Sequence, residues 1–153
     1  MTGPRFLYLH GFASSPASHK ARAFAAHYES RGVAINRLDL RVPSFEELRL
    51  SAMIAHVRGA IGGPRDRAVL IGSSLGGLTA CRVAEQDARV FALVLMAPAF
   101  RMVERWRRRL GEDGWRAWEE RGWLEVDDYA THAKGRVGFG FARDASEVDA
   151  EGG

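Results

Sequence analysis

The chain has 153 residues, enough for one domain with a sizeable core, and its 46% apolar and 27% charged residues are those of an ordinary globular protein. A net charge of +3 is too small to imply a nucleic-acid partner, and a single cysteine, Cys81, excludes an intrachain disulfide and makes a reducing compartment the default. The N-terminal apolar run, Phe6 to Leu9, is too short for a signal-peptide core, and the longest apolar stretch, Val90 to Phe100, is too short to span a bilayer; a cytoplasmic protein without a membrane segment is expected.

Phe6-Leu7-Tyr8-Leu9, apolar on both faces and closed by His10-Gly11, predicts a buried parallel strand. Ser14-Ser15-Pro16 is a loop. A helix is expected from near Ser18, with Ala21, Phe24, Ala25 and Tyr28 on one face and Gly32 as its stop. Val33 to Leu38 predicts a second strand, ended before Pro43. Ser44-Phe45-Glu46-Glu47 has the Ser-x-x-Glu form of a capping box, so a helix is expected to start there. Its apolar face would be Phe45, Leu48, Met53 (or Ala52), Val57 and Ile61, and Gly62-Gly63-Pro64 would end it. A third strand spans Ala68 to Ile71, a helix runs to about Gln86, and Val90 to Met96 is a fourth strand. Strands alternating with helices imply an α/β fold, a parallel sheet flanked by helices.

After Pro98 the character changes. Phe100 to Leu110 carries Arg101, Arg105, Arg107, Arg108 and Arg109, with Met102, Val103, Trp106 and Leu110 on the opposite stripe. Trp115, Trp118 and Trp123 follow. Such a segment is either a basic, aromatic surface for an anionic ligand or an amphipathic helix whose tryptophans pack while its arginines face water. A helical, cap-like segment over about 100–134 is expected. Gly135 to Phe141 reads as a short extended piece and Asp144 to Glu151 as one or two helical turns.

The most informative stretch is Val69-Leu70-Ile71-Gly72-Ser73-Ser74-Leu75-Gly76-Gly77. An apolar strand ends in Gly-x-Ser-x-Gly (Gly72, Ser74, Gly76) and a helix pattern begins at once, the context of a nucleophile elbow. Ser74 would stand at a strained apex, with Gly72 and Gly76 sparing the turn two side chains it has no room for. A dinucleotide site fits poorly. Ser74 replaces the glycine that lets a pyrophosphate approach, and the next strand ends in Met96-Ala97-Pro98 with no acid for a ribose.

Serine hydrolysis also needs donors for the oxyanion and a base for the hydroxyl proton. The backbone N–H of Leu75 and that of Phe12, in His10-Gly11-Phe12 after the first strand, are the candidate donors. Leu7-Tyr8-Leu9-His10-Gly11-Phe12-Ala13-Ser14-Ser15-Pro16, Gly72-Ser73-Ser74-Leu75-Gly76-Gly77 and Met96-Ala97-Pro98-Ala99 together resemble the α/β-hydrolase superfamily, and within it the small bacterial esterases of the YqiA type. The resemblance covers nearly the whole chain. It implies a carboxylester or thioester hydrolase with Ser74 as nucleophile and Phe12 and Leu75 as oxyanion donors, acting on a small-molecule ester or acyl substrate. No cofactor and no metal site is expected.

In that fold an acid and then a histidine follow the serine, each after a later strand. The only histidine after Ser74 is His132, in Asp127-Asp128-Tyr129-Ala130-Thr131-His132, read here as a solvated histidine at a helix end, and no strand ending in an acid is evident. His10 is expected to shape the oxyanion loop rather than act as base. His19, His27 and His56 are read as surface residues, and Asp39 sits on the wrong loop for the family. Val90 to Met96 is apolar at every position, as for a strand paired on both edges, yet no partner strand is evident beyond it. The chain is therefore read as a single α/β-hydrolase-like domain, residues 1–153, that lacks its last strands, with the sheet in the order second, first, third, fourth strand. Self-association through the exposed edge follows from that. A binding domain that keeps the elbow but lacks the base is the alternative, and a partner-binding module using the Arg/Trp segment a third.

Overall fold

The computed structural model describes residues 3–151; Met1, Thr2, Gly152 and Gly153 lie outside them. Strands β1 (Arg5–Leu9), β2 (Ile35–Leu38), β3 (Ala68–Ser73) and β4 (Val90–Met96) form a parallel sheet in the expected order, β2-β1-β3-β4. Parallel neighbours cannot be joined by tight turns, so the chain crosses back over the sheet through α1 (His19–Glu29), α2 (Leu50–Ile61) and α3 (Leu75–Gln86).

Alternation along the strands decides which side chain meets which helix. Leu7, Leu9 and Leu70 join the core with Met53, Ile54, Val57 and Ile61 of α2 and Leu78 and Val83 of α3. Tyr8, Val69 and Ile71 pack instead with Ala21 and Ala25 of α1, on the opposite face. The three leucines are 0% exposed, and burial of each contributes about 1.5–3 kcal/mol. The start of α1 is the expected one: the Ala21 N–H donates to Ser18 Oγ at 3.2 Å.

The start of α2 is not. The helix begins at Leu50, so Phe45 and Leu48 precede it. The local signal at Ser44 is real, since its Oγ accepts the Glu47 N–H at 3.1 Å. It closes only a turn, because the Glu46 carbonyl is taken by the N–H of Gly138 at 2.9 Å, far along the chain. The first turn of α2 is capped from outside the helix: Asp144 accepts both the Ser51 N–H and the Ser51 hydroxyl.

The segment expected to be helical over about 100–134 is helical only to Arg121. Helix α4 (Met102–Arg121) breaks at Gly111 (φ 73°, ψ 169°) and stops at Gly122 (φ 87°). An antiparallel hairpin follows, β5 (Trp123–Asp128) and β6 (Ala133–Gly138), and then α5 (Gly140–Glu151), longer than the one or two turns expected. The tryptophans do pack inward: Trp115 and Trp118 are buried, and the Trp118 indole donates to the Val137 carbonyl at 3.0 Å. A strand ending in an acid exists after all, β5 with Asp127 and Asp128. It belongs to the hairpin, not to the parallel sheet, and the Asp128 carboxylate is gripped by both Arg41 Nη atoms at 2.8 and 2.7 Å. Those bonds hold the Asp128 carboxyl below the usual carboxylate range.

Strand β4 is an edge strand of the sheet, as is β2. It is not covered on both faces: Phe91 is 59% and Val94 43% exposed, and a register shift between Ala68 and Val69 leaves Phe91 without a partner on β3. Among the described residues no helix is long and apolar enough to cross a membrane.

Candidate active site

Ser74 stands between the end of β3 and the first residue of α3, with φ 54° and ψ −116°, a conformation that L-residues rarely adopt. The glycines around it explain how the turn closes. A Cβ on Gly72 would overlap the backbone of Gly76 and Gly77, and one on Gly76 would overlap the carbonyls of Leu9 and His10. The apex is tied to the end of β4, with the Ser74 N–H donating to the Met96 carbonyl at 3.0 Å and the Ser74 carbonyl accepting from the Ala99 N–H at 2.9 Å. Ser73 is buried and Ser74 is exposed.

The loop after β1 lies against this apex. A Cβ on Gly11 would sit 3.4 Å from Ser74 Cβ and 3.9 Å from Ser74 Oγ. The ring of Phe12 is wedged between Trp106 of α4, at 4.8 Å and edge-on, and Phe45, at 5.6 Å, which fixes the backbone of the loop. Neither the Phe12 N–H nor the Leu75 N–H has a hydrogen-bond partner among the described residues.

His10 is 3% exposed and engaged at both nitrogens. Its Nε2 accepts the Leu40 N–H at 2.9 Å, so the proton is on Nδ1, which donates to the Gly11 carbonyl at 2.8 Å. Burial lowers its pKa below the ordinary histidine value. A neutral ring bonded in this way ties the loop after β1 to Leu40 and has no lone pair left for the Ser74 proton. Asp39 lies 3.7 Å from His10 Nε2 and caps the Arg41 N–H. His132 is exposed at the β5–β6 turn rather than at a helix end, with φ 59°. His19, His27 and His56 are exposed on their helices, as expected.

Two cavities border Ser74. The smaller, about 230 Å³, is lined by Tyr8, His10, Gly11, Phe12 and Lys20 among others. The larger, about 670 Å³, opens between the elbow and α4 and takes in Lys20, Arg105, Trp106, Arg108 and Arg109. Neither has an acid in its lining. Lys20, whose Nζ donates to Ser73 Oγ at 3.3 Å, is a site residue that sequence reasoning does not single out. Its place in the first turn of the helix after the Gly11 loop is the signal that could have found it.

Comparisons with known proteins agree with this fold. A protein from Agrobacterium vitis S4 described as a hydrolase superposes with a TM-score of 0.80 at 21% identity, over 98% of this chain and 63% of that one. Mouse alpha/beta hydrolase domain-containing protein 10 gives 0.72 at 21% identity, over 96% and 62%. Est1E from Butyrivibrio proteoclasticus, with ferulic acid bound, gives 0.70 at 21% identity, over 97% and 61%. At such identity the likeness is one of fold, and the chain spans about three-fifths of the length of these structures. No curated protein matches the sequence. The model of an uncharacterised protein family, UPF0227, matches residues 5–135, which is most of the sheet, the elbow and the hairpin, and the chain accordingly belongs to UPF0227 with an α/β-hydrolase fold.

Proposed function

We propose that this protein is a serine esterase of the α/β-hydrolase type, acting on small carboxylic esters or thioesters. Ser74 Oγ bonds to the acyl carbon, the alcohol or thiol leaves with a proton, and water then releases the acid and restores the serine. The Phe12 and Leu75 N–H groups hold the oxyanion, and His10, Gly11, Gly72 and Gly76 keep the two N–H groups and the serine in register. The observation that carries this reading is the exposed Ser74 at positive φ, framed by two glycines with no room for a Cβ and faced by Gly11. The esterase among the structural neighbours is consistent with it.

Hydrolysis also needs a base, and the cavities beside Ser74 offer no unengaged imidazole and no carboxylate. The same observation favours a second reading, a binding domain that keeps the elbow and the oxyanion donors. A neutral fluorophosphonate probe separates the two. Under the esterase reading it labels wild type, slowly, and not Ser74→Ala. Activated esters are turned over at trace level, since oxyanion stabilisation and binding alone leave about 10³–10⁴-fold over water in a serine protease stripped of its triad. Equal labelling of wild type and variant removes the esterase reading. The open edge of β4 is read as the site of self-association, and the single cysteine keeps the cytoplasm as the proposed compartment.

A further inference from the structure

The arginines of α4 do not all have the same surroundings. Arg101 and Arg108 both pair with Glu104, and Arg107 pairs with Glu112. Arg105 and Arg109 have no ion-pair partner among the described residues, and both line the large cavity beside Ser74. They are four residues apart on one helix, so they stand on the same face, one turn from each other. Like charges at that spacing repel by a few tenths of a kcal/mol unless an anion sits between them. Lys20, on the elbow side of the same cavity, adds a third cation next to Ser73. With Arg108 included, four cations and no acid surround a space of about 670 Å³ that opens on the serine.

We propose that the ester taken by this cleft carries an anionic group, a carboxylate or a phosphate, which Arg105 and Arg109 hold while the acyl carbon lies at Ser74. This rests on the reading of Ser74 as nucleophile. Guanidinium groups suit the role because each offers two parallel donors to an oxyanion, and the flanking indole of Trp106 gives the rest of the ligand an apolar wall. The arginines are exposed, so their pull is screened by salt.

The test is equilibrium binding to the Ser74→Ala protein, measured by isothermal titration calorimetry. Three probes are compared: monomethyl succinate, 2-acetoxyethyl phosphate and the neutral dimethyl succinate. The expected result is at least about tenfold tighter binding of an anionic ester at low ionic strength, roughly what one well-formed charged hydrogen-bonded pair provides, with the preference shrinking as salt is added. Which of the two anionic esters binds better identifies carboxylate or phosphate as the group. Arg105→Gln and Arg109→Gln should each remove most of the preference, and Arg65→Gln, in the loop before β3 at the other end of the sheet, should leave it intact. Equal binding of dimethyl succinate, or a preference that survives both cleft substitutions, overturns the inference. Fluorophosphonate labelling of the wild-type protein keeps the two readings apart. Labelled Ser74 without an anion preference sinks this inference alone. An anion preference with unlabelled Ser74 sinks the esterase reading and, with it, the assignment of the anion to a substrate.

Discussion

Strands β3 and β4 lie side by side and β4 is the more apolar in sequence, yet β3 is the best buried element of the molecule and β4 the most exposed strand of its sheet. Every residue of β3 is buried, from Ala68 to Ser73, because it has β1 and β4 on its edges and α1 and α3 over its faces. β4 has a neighbour on one edge only, and Leu93, Val94 and Leu95 are 36%, 43% and 37% exposed. A strand's sequence states what it is able to bury. What it does bury is set by its neighbours, and at β4 those are few.

The largest expected effect comes from the closed side of this contrast. Gly76→Ala drives a methyl into the Leu9 and His10 carbonyls, neither of which can yield without moving β1. A loss of about 3 kcal/mol or more is expected in urea melts, and a loss under about 1 kcal/mol would show that the elbow has slack. A matched pair comes next. Leu70 and Leu93 are partners in the β3–β4 register, 0% and 36% exposed. Leu70→Ala should cost about 3 kcal/mol and Leu93→Ala under about 1 kcal/mol, and equal costs would break the comparison.

Much of this is legible in the sequence, for physical reasons that differ by region. The parallel sheet is written in short two-sided apolar runs, and Gly72, Ser74 and Gly76 announce a turn that few other residues can make. Gly11 and Ser74 meet because both follow the ends of adjacent strands, which register alone dictates. The hairpin is not legible because its decisive partners are remote: Asp128 is held by Arg41, 87 positions away, and Gly138 by Glu46. The start of α2 misleads for the same reason, a correct local bond at Ser44 that long-range contacts confine to one turn. Whether Arg105 and Arg109 face open water or a cleft depends on where the end of β4 delivers the chain, and helical periodicity is silent on that.

Acidity sharpens the contrast between interior and edge further. His10, at the end of β1, has a pKa below its unfolded value of about 6.5 because burial disfavours its charged form. Below about pH 6.5 the unfolded chain therefore binds the proton more readily than the folded one. Stability contributed by neutral His10 is fully present above that pH and is lost as the pH falls through the lower, folded value. Urea melts between pH 7.5 and 5 should show the decline, and His10→Gln should flatten it. Identical slopes for the two proteins would mean that the ring is not held neutral by the loop. The smallest effect on stability is expected at the edge. Val94→Lys should change the unfolding free energy by no more than about 0.5 kcal/mol, yet reduce self-association in sedimentation velocity. Unchanged association would remove β4 as the contact.

The Arg41 side chain joins three segments of the chain at one point. Its guanidinium grips Asp128 of the hairpin, donates to the Ser14 carbonyl in the loop after β1 at 3.4 Å, and lies 4.2 Å from the centre of the Phe45 ring. Asp128 and Arg41 are only 5% and 17% exposed at the side chain. Removing either partner would leave the other charge with little water to turn to, and a buried charge left unpaired in this way costs about 3–5 kcal/mol. The hairpin is thus held to the loop after β1, the loop that lies against Ser74, by one largely buried ion pair. Two stretches far apart in the sequence thereby share one anchor, and a disturbance of the hairpin reaches the loop beside Ser74.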